Sequence, residues 1–245
     1  MSLFQEPFKV LTDQQSLRLF NIVLGTAQIF GISAIFLVAI WMSGFKGGFT
    51  SGLQFHYHPT FMVMGMIFLV GEGILVYRVF RHERKRFSKL LHLTLQTMVL
   101  IFALIALKAV FESHSSNKND KGQLDPLPNM YSLHSWYLFG FAVFFFPSWS
   151  VPIRQFMLPY HQSIGLIILC FLTVAAVMGI SEQAAWHHKC WTVGHTMCSQ
   201  QYLSIALGIS ILIFVTLIVI ITLNPRWRRQ PLPEEETLHR LTNID

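Results

Sequence analysis

Charged residues are scarce in this sequence. Asp, Glu, Lys and Arg make up 12% of its 245 residues, where a soluble globular domain usually carries about 25%. That deficit excludes a surface solvated wholly by water. Cysteine is scarcer still: Cys170, Cys190 and Cys198 are the only three, too few for a disulfide scaffold. A concentrated basic patch is also missing. The net charge of +6 is spread over the ends of apolar runs, which argues against nucleic acid as a partner and fits topology signals instead. Low-complexity segments and clear internal repeats are absent. Glu6, Lys9 and Asp13 precede the first apolar run, so that run is expected to be a retained anchor rather than a cleavable signal.

What the chain has in abundance is hydrophobic length. Hydrophobic residues make up 53% of it, gathered in stretches of roughly 18 to 25 residues, the length an α-helix needs to cross about 30 Å of hydrocarbon. Six spans are expected, at 19–42, 57–80, 89–111, 131–150, 158–180 and 201–223. The fifth is expected to start after Pro159, a residue tolerated in a helix's first turn, and the sixth to stop at Asn224-Pro225, a terminating pair. The fold class is therefore all-α and multi-pass: a cytosolic segment 1–18, a six-helix domain 19–223 and a disordered cytosolic tail 224–245.

Lys and Arg set the orientation. With the N-terminus inside, the inner segments hold thirteen (Lys9, Arg18, Arg78, Arg81, Arg84, Lys85, Arg86, Lys89, Arg154, Arg226, Arg228, Arg229, Arg240) and the outer segments five (Lys46, Lys108, Lys118, Lys121, Lys189). Positive charge accumulates on the cytosolic side, so both termini are expected there.

Topology then sorts the eleven histidines. Seven fall in loops, tails or span edges: His56, His82, His114, His187, His188, His195 and His239. His58, His92, His134 and His161 each fall near the start of a span. Spans two and four begin outside, placing His58 and His134 near the outer surface; spans three and five begin inside, placing His92 and His161 near the inner one. Two pairs at two depths, each drawn from two helices, are what two bis-histidine haems require. Six-coordinate iron has no open position for oxygen, which suits electron transfer. Taken singly, each histidine reads equally well as an interfacial hydrogen-bonding residue, and the set also admits a proton relay in a transporter, or a haem-bearing subunit of a larger electron-transfer complex.

The loop of residues 181–200 faces the oxidising side, so a Cys190–Cys198 disulfide is expected; its Cys and His spacing matches no closed zinc motif. Glu72 lies inside the second span, and either a pairing with a neighbouring helix or a role beside a water path fits it.

At the four histidines the sequence resembles the cytochrome b561 family of ascorbate-dependent transmembrane electron carriers. The likeness runs over about residues 20–225. It is carried by Asn129-Met-Tyr-Ser-Leu-His-Ser-Trp136, by His58-Pro59 followed by Met62-Val63-Met64-Gly65, and by Leu75-Val76-Tyr77-Arg78. Lys89-Leu-Leu-His92, Leu158-Pro-Tyr-His161 and Lys108-Ala-Val-Phe-Glu112 complete it. The resemblance implies a central four-helix bundle holding two haems b, with His58 and His134 on the outer haem and His92 and His161 on the inner. It implies cytosolic ascorbate as donor, and monodehydroascorbate or a ferric chelate as acceptor on the lumenal or extracellular side. It further implies Lys89, Arg154 and Arg78 at the inner substrate site and His114, Asn129 and Tyr131 at the outer one. A homodimer in an endolysosomal or secretory-vesicle membrane, with the plasma membrane as the other host, is implied as well.

Three features depart from that pattern. Only twelve residues separate His134 from Pro147, about 18 Å of helix at 1.5 Å per residue, where the family's fourth helix runs longer. His56 stands where the family often has Asn. The 112–130 loop is longer than the resemblance implies.

Overall fold

The computed structural model describes residues 12–49, 54–119, 121–129 and 151–230, with backbone alone for 151–159. Among these, five helices are long and apolar enough to cross a membrane: Asp13–Phe45, Gln54–Val79, Lys85–Ser115, Tyr160–His187 and Ser199–Leu223. The protein is an all-α, multi-pass membrane protein. The expected fourth span, 131–150, lies outside the described residues.

Helix α1 (Asp13–Ile40) opens on a capping box. The Thr12 hydroxyl accepts from the Gln15 amide, and the Gln15 side chain accepts from the Thr12 amide, so two otherwise orphaned donors are satisfied. A π turn, Trp41–Phe45, carries the rod onward. The second span is composite: α2 (Tyr57–Phe61), a π segment Met62–Leu69, then α3 (Val70–Val79). Insertions of this kind rotate the register downstream and recur at functional sites. Helix α4 is Lys85–Ser115, α5 is Val151–His187, α6 is the short Lys189–Thr192 and α7 is Ser199–Leu223.

Two boundaries differ from the sequence reading. Helix α5 begins at Val151, not after Pro159. Pro152 takes the first-turn position, where a missing N–H costs nothing, and Pro159 is tolerated inside at the loss of one backbone bond. Hydropathy misses this stretch because its polar residues lie beyond the apolar core. At the other end, the tail boundary at 224 falls inside a packed segment. Asn224 accepts from the Arg226 amide, Pro225–Trp227 forms a 3-10 turn, and Trp227 is buried with its ring 5.4 Å from that of Phe20. The Trp227 indole donates to the Ser16 hydroxyl at 3.1 Å.

The second span is the hub. The α1 helix packs along α7, while α2, α3 and the π segment between them reach α1, α4, α5 and α7. In lipid no hydrophobic force pulls helices together, so close approach between small residues does much of the work. Phe214 of α7 fills a notch cut by two glycines. A Cβ on Gly31 would sit 2.8 Å from the Phe214 ring, and one on Gly71 would sit 2.9 Å from that ring and 2.5 Å from Ile218. Gly71→Leu is accordingly expected to destabilise the detergent-solubilised protein by about 1–3 kcal/mol through overpacking. An unchanged thermal unfolding midpoint would show the notch to be slack.

Candidate functional site

Two of the four expected ligands are brought close together by the described helices. His92 is two turns into α4 and His161 lies on α5, and their ring centres are 6.2 Å apart at an interplanar angle of 76°. An imidazole nitrogen bonds a first-row metal ion at about 2.0–2.1 Å with the ring centre roughly 1 Å behind it, so two imidazoles sharing one metal have centres about 6 Å apart. The spacing fits a single iron between these two rings.

The His92 ring is also held from behind. Its Nδ1 lies 2.8 Å from the Gly73 carbonyl oxygen, which can only accept, so Nδ1 carries the hydrogen and Nε2 keeps the lone pair that a metal needs. A Cβ at Gly73 would stand in ordinary contact with His92 Nδ1 at 3.8 Å but 2.7 Å from the Gln96 amide nitrogen, so it is the Gln96 side chain that would have to move. The Tyr77 ring lies beside His92, centres 5.8 Å apart.

Around this pair the expected inner cations divide. Lys89 is exposed, one turn before His92 on the same helix. Arg78 is occupied: its guanidinium donates to the carbonyls of Thr222 and Asn224, tying the Val79 end of the second span to the last turn of α7. Arg229 adds a parallel tie, donating to the Glu83 carbonyl at 3.0 Å. Arg154 is on the α5 backbone, and its side chain lies outside the described residues.

At the opposite end, His58 lines a largely apolar cavity between the second span, α1, α4, α5 and α7. Its Nδ1 lies 3.2 Å from the Ala106 carbonyl of α4. The two candidate ligands are thus cross-strapped: the second span's histidine bonds α4, and the histidine of α4 bonds the second span. His114 and Asn129 line the same cavity, and His114 Nδ1 meets Asn129 Oδ1 at 2.8 Å. Behind them the 117–129 loop is folded by a Lys118–Leu124 bridge and by the Leu127 amide donating to the His114 carbonyl at 3.0 Å. His134 and Tyr131 lie outside the described residues. His56 is buried and bonds the Gly48 carbonyl through Nδ1 at 2.6 Å, which joins the start of the second span to Gly48.

Sequence reading missed the residues that aim the ligands. The Gly73 and Ala106 carbonyls carry no side-chain signal. Glu182, Gln183 and Trp186 of α5 also line the His58 cavity, and only the extension of α5 past residue 180 brings them there. Among the described residues no three His, Cys, Asp or Glu side chains group to hold a bare metal ion, and Cys190 is joined to Cys198.

Comparison with known proteins places these residues in context. A sequence model described as eukaryotic cytochrome b561 matches residues 57–187, a stretch that holds all four candidate histidines. A Caenorhabditis elegans protein named a putative transmembrane ascorbate-dependent reductase CYB561 homolog is 48% identical over 260 residues, covering 99% of this chain and 98% of that protein. The transmembrane ascorbate-dependent reductase CYB561 of Ovis aries is 34% identical over 226 residues, 86% of each chain. The plasma membrane ascorbate-dependent reductase CYBRD1 of Mus musculus is 32% identical over 225 residues, 84% of this chain and 74% of that protein.

Proposed function

The chain belongs to the eukaryotic cytochrome b561 family, and from that premise we propose that it is a transmembrane oxidoreductase passing single electrons from cytosolic ascorbate through two bis-histidine haems b to an acceptor on the far side. His92 and His161 hold the inner haem, and His58 and His134 the outer. The acceptor is monodehydroascorbate or a ferric chelate. The observation that carries this reading is the 6.2 Å separation of the His92 and His161 rings, with His92 turned by the Gly73 carbonyl so that Nε2 is available to iron.

A haem bound at each position supplies a reversible one-electron couple. Everything else is the work of the chain. The ring-to-carbonyl bonds from His58 to Ala106 and from His92 to Gly73 set the tautomers and hold the rings against rotation, and such outer partners typically govern ligand strength. Lys89 presents an ammonium beside the inner site, where it draws an anionic donor out of the cytosol. Arg78 contributes its charge to the same region while its hydrogens serve the end of α7. On the outer side His114, Asn129 and Tyr131 form the acceptor site. Both termini face the cytosol by the thirteen-to-five distribution of Lys and Arg. We place the protein as a homodimer in an endolysosomal or secretory-vesicle membrane.

A reduced-minus-oxidised spectrum of the purified protein tests the reading. A b-type band that ascorbate generates supports it; absence of haem overturns it. Haem that ascorbate leaves oxidised would make the chain a subunit fed by another donor. Lys89→Ala is expected to slow reduction by ascorbate roughly three- to tenfold, the effect of one partly screened charge, with haem content unchanged. Stopped-flow reduction at low ionic strength measures it, and an unaltered rate would leave Lys89 as a membrane anchor only.

A further inference from the structure

Glu72 is the acidic residue set deepest from a helix end in the described spans, seven residues from Val79 and eighteen from Gln54. Three consecutive residues of α3 point at three different helices. Gly71 abuts Phe214 and Ile218 of α7; Glu72 Oε1 accepts from Gln28 Nε2 of α1 at 2.6 Å; the Gly73 carbonyl accepts from His92 of α4. The carboxyl is therefore one peptide unit from the group that holds an inner-haem ligand, yet makes no described contact with either ligand. Among the described residues no cation stands within ion-pair distance of it.

The charged and titratable groups around it are few. Helix α1 has none between Leu19 and Met42, and α7 has none from Leu203 to Leu223. Helix α4 offers His92 and, toward the cytosol, Lys89, Arg86 and Lys85. Helix α5 offers Tyr160, His161 and Cys170, and α3 itself Tyr77 and Arg78. An ionised carboxylate with a single neutral amide as partner is costly in apolar surroundings. A haem held between His92 and His161 would alter that cost, since a ferric haem carries one more positive charge than a ferrous one. Reduction removes the charge that favours the carboxylate.

We propose that Glu72 is the proton site linked to the inner haem, binding one proton when that haem gains an electron and releasing it when the electron moves on. The inference rests on the function proposed above. Ascorbate monoanion loses one electron and one proton on becoming monodehydroascorbate. The electron reduces ferric to ferrous iron, and the proton, exchanged through cytosolic water, protonates a Glu72 carboxylate oxygen. Oxidation of that haem by the outer one reverses both transfers. The positive charge at the site is then the same before and after, and Gln28 holds the carboxyl that makes the exchange.

The test is a redox titration of each haem in the holoprotein across pH, with redox-difference infrared spectra. In the wild type the inner-haem potential is expected to fall with pH by up to 59 mV per unit, accompanied by a carboxyl C=O band. Glu72→Gln should flatten the slope and delete the band, and Glu72→Asp should restore both. Gln28→Leu should keep the slope and displace the pH range over which it runs, which preserves the test if Glu72→Gln fails to assemble. A wild-type slope and band persisting in Glu72→Gln, or a Gln28→Leu profile identical to wild type, would overturn the proposal. Haem that ascorbate reduces at a pH-independent potential would also overturn it and leave the proposed function standing. Absence of haem would instead remove that function.

Discussion

Alanine at His92 is expected to abolish reduction by ascorbate and to halve the haem content. The side chain removed is one of two imidazoles whose centres stand 6.2 Å apart, a spacing that one metal between them accounts for. Alanine leaves His161 facing a gap, and a single imidazole cannot fill both axial positions. Even loss of a group that merely orients a metal ligand costs roughly 10–100-fold in affinity or activity, so loss of the ligand itself should exceed about a hundredfold in the rate of ascorbate reduction. Haem-to-protein ratio by pyridine haemochrome and stopped-flow reduction measure the two halves of this. Full haem content in His92→Ala would exclude His92 as a ligand.

Removing the outer ligand should give the opposite pattern. His58→Ala is expected to lose the outer haem, retain rapid reduction of the inner haem by ascorbate, and stop delivery across the membrane. His58 is separated from the inner pair by most of the second span, and its Nδ1 bond goes to Ala106 near the far end of α4. Its loss therefore disturbs a different part of that helix from the one carrying His92. Proteoliposomes with ferricyanide trapped inside and ascorbate outside read the delivery step, which should fall by more than about a hundredfold. Loss of both haems would mean that the two sites assemble as one unit, with the cross-straps between α4 and the second span as the coupling.

Much of this architecture was legible in the sequence. Charge scarcity and span length predicted a multi-pass helical membrane protein, and five of the six expected spans coincide with described helices, each running past its apolar core because backbone hydrogen bonding continues into interfacial residues. The His92 and His161 rings lie close together, as two residues expected at the same depth on neighbouring spans would. Arg78 shows where such reading ends. A cation at the inner end of a span suits an anion site, but which acceptors its guanidinium finds depends on α7 ending beside it. Trp227 is similar: a tryptophan in a polar stretch after Pro225 carries no sign that Phe20 and Ser16 wait for it more than two hundred residues earlier.

What the sequence determined by itself is therefore position along the membrane normal. Transfer of apolar side chains into hydrocarbon is a property of composition, and it sets which segments are long and apolar enough to cross and where along each one a histidine falls. What only the tertiary structure decided is rotation about each helix axis. Gly71, Glu72 and Gly73 face α7, α1 and α4 in turn, and no periodicity in the sequence announces it. In a water-soluble helix the buried face is apolar and the other polar, so the pattern reveals the rotation. In lipid both faces are apolar, and the rotation is left to glycine notches, a π segment and a few hydrogen bonds between helices.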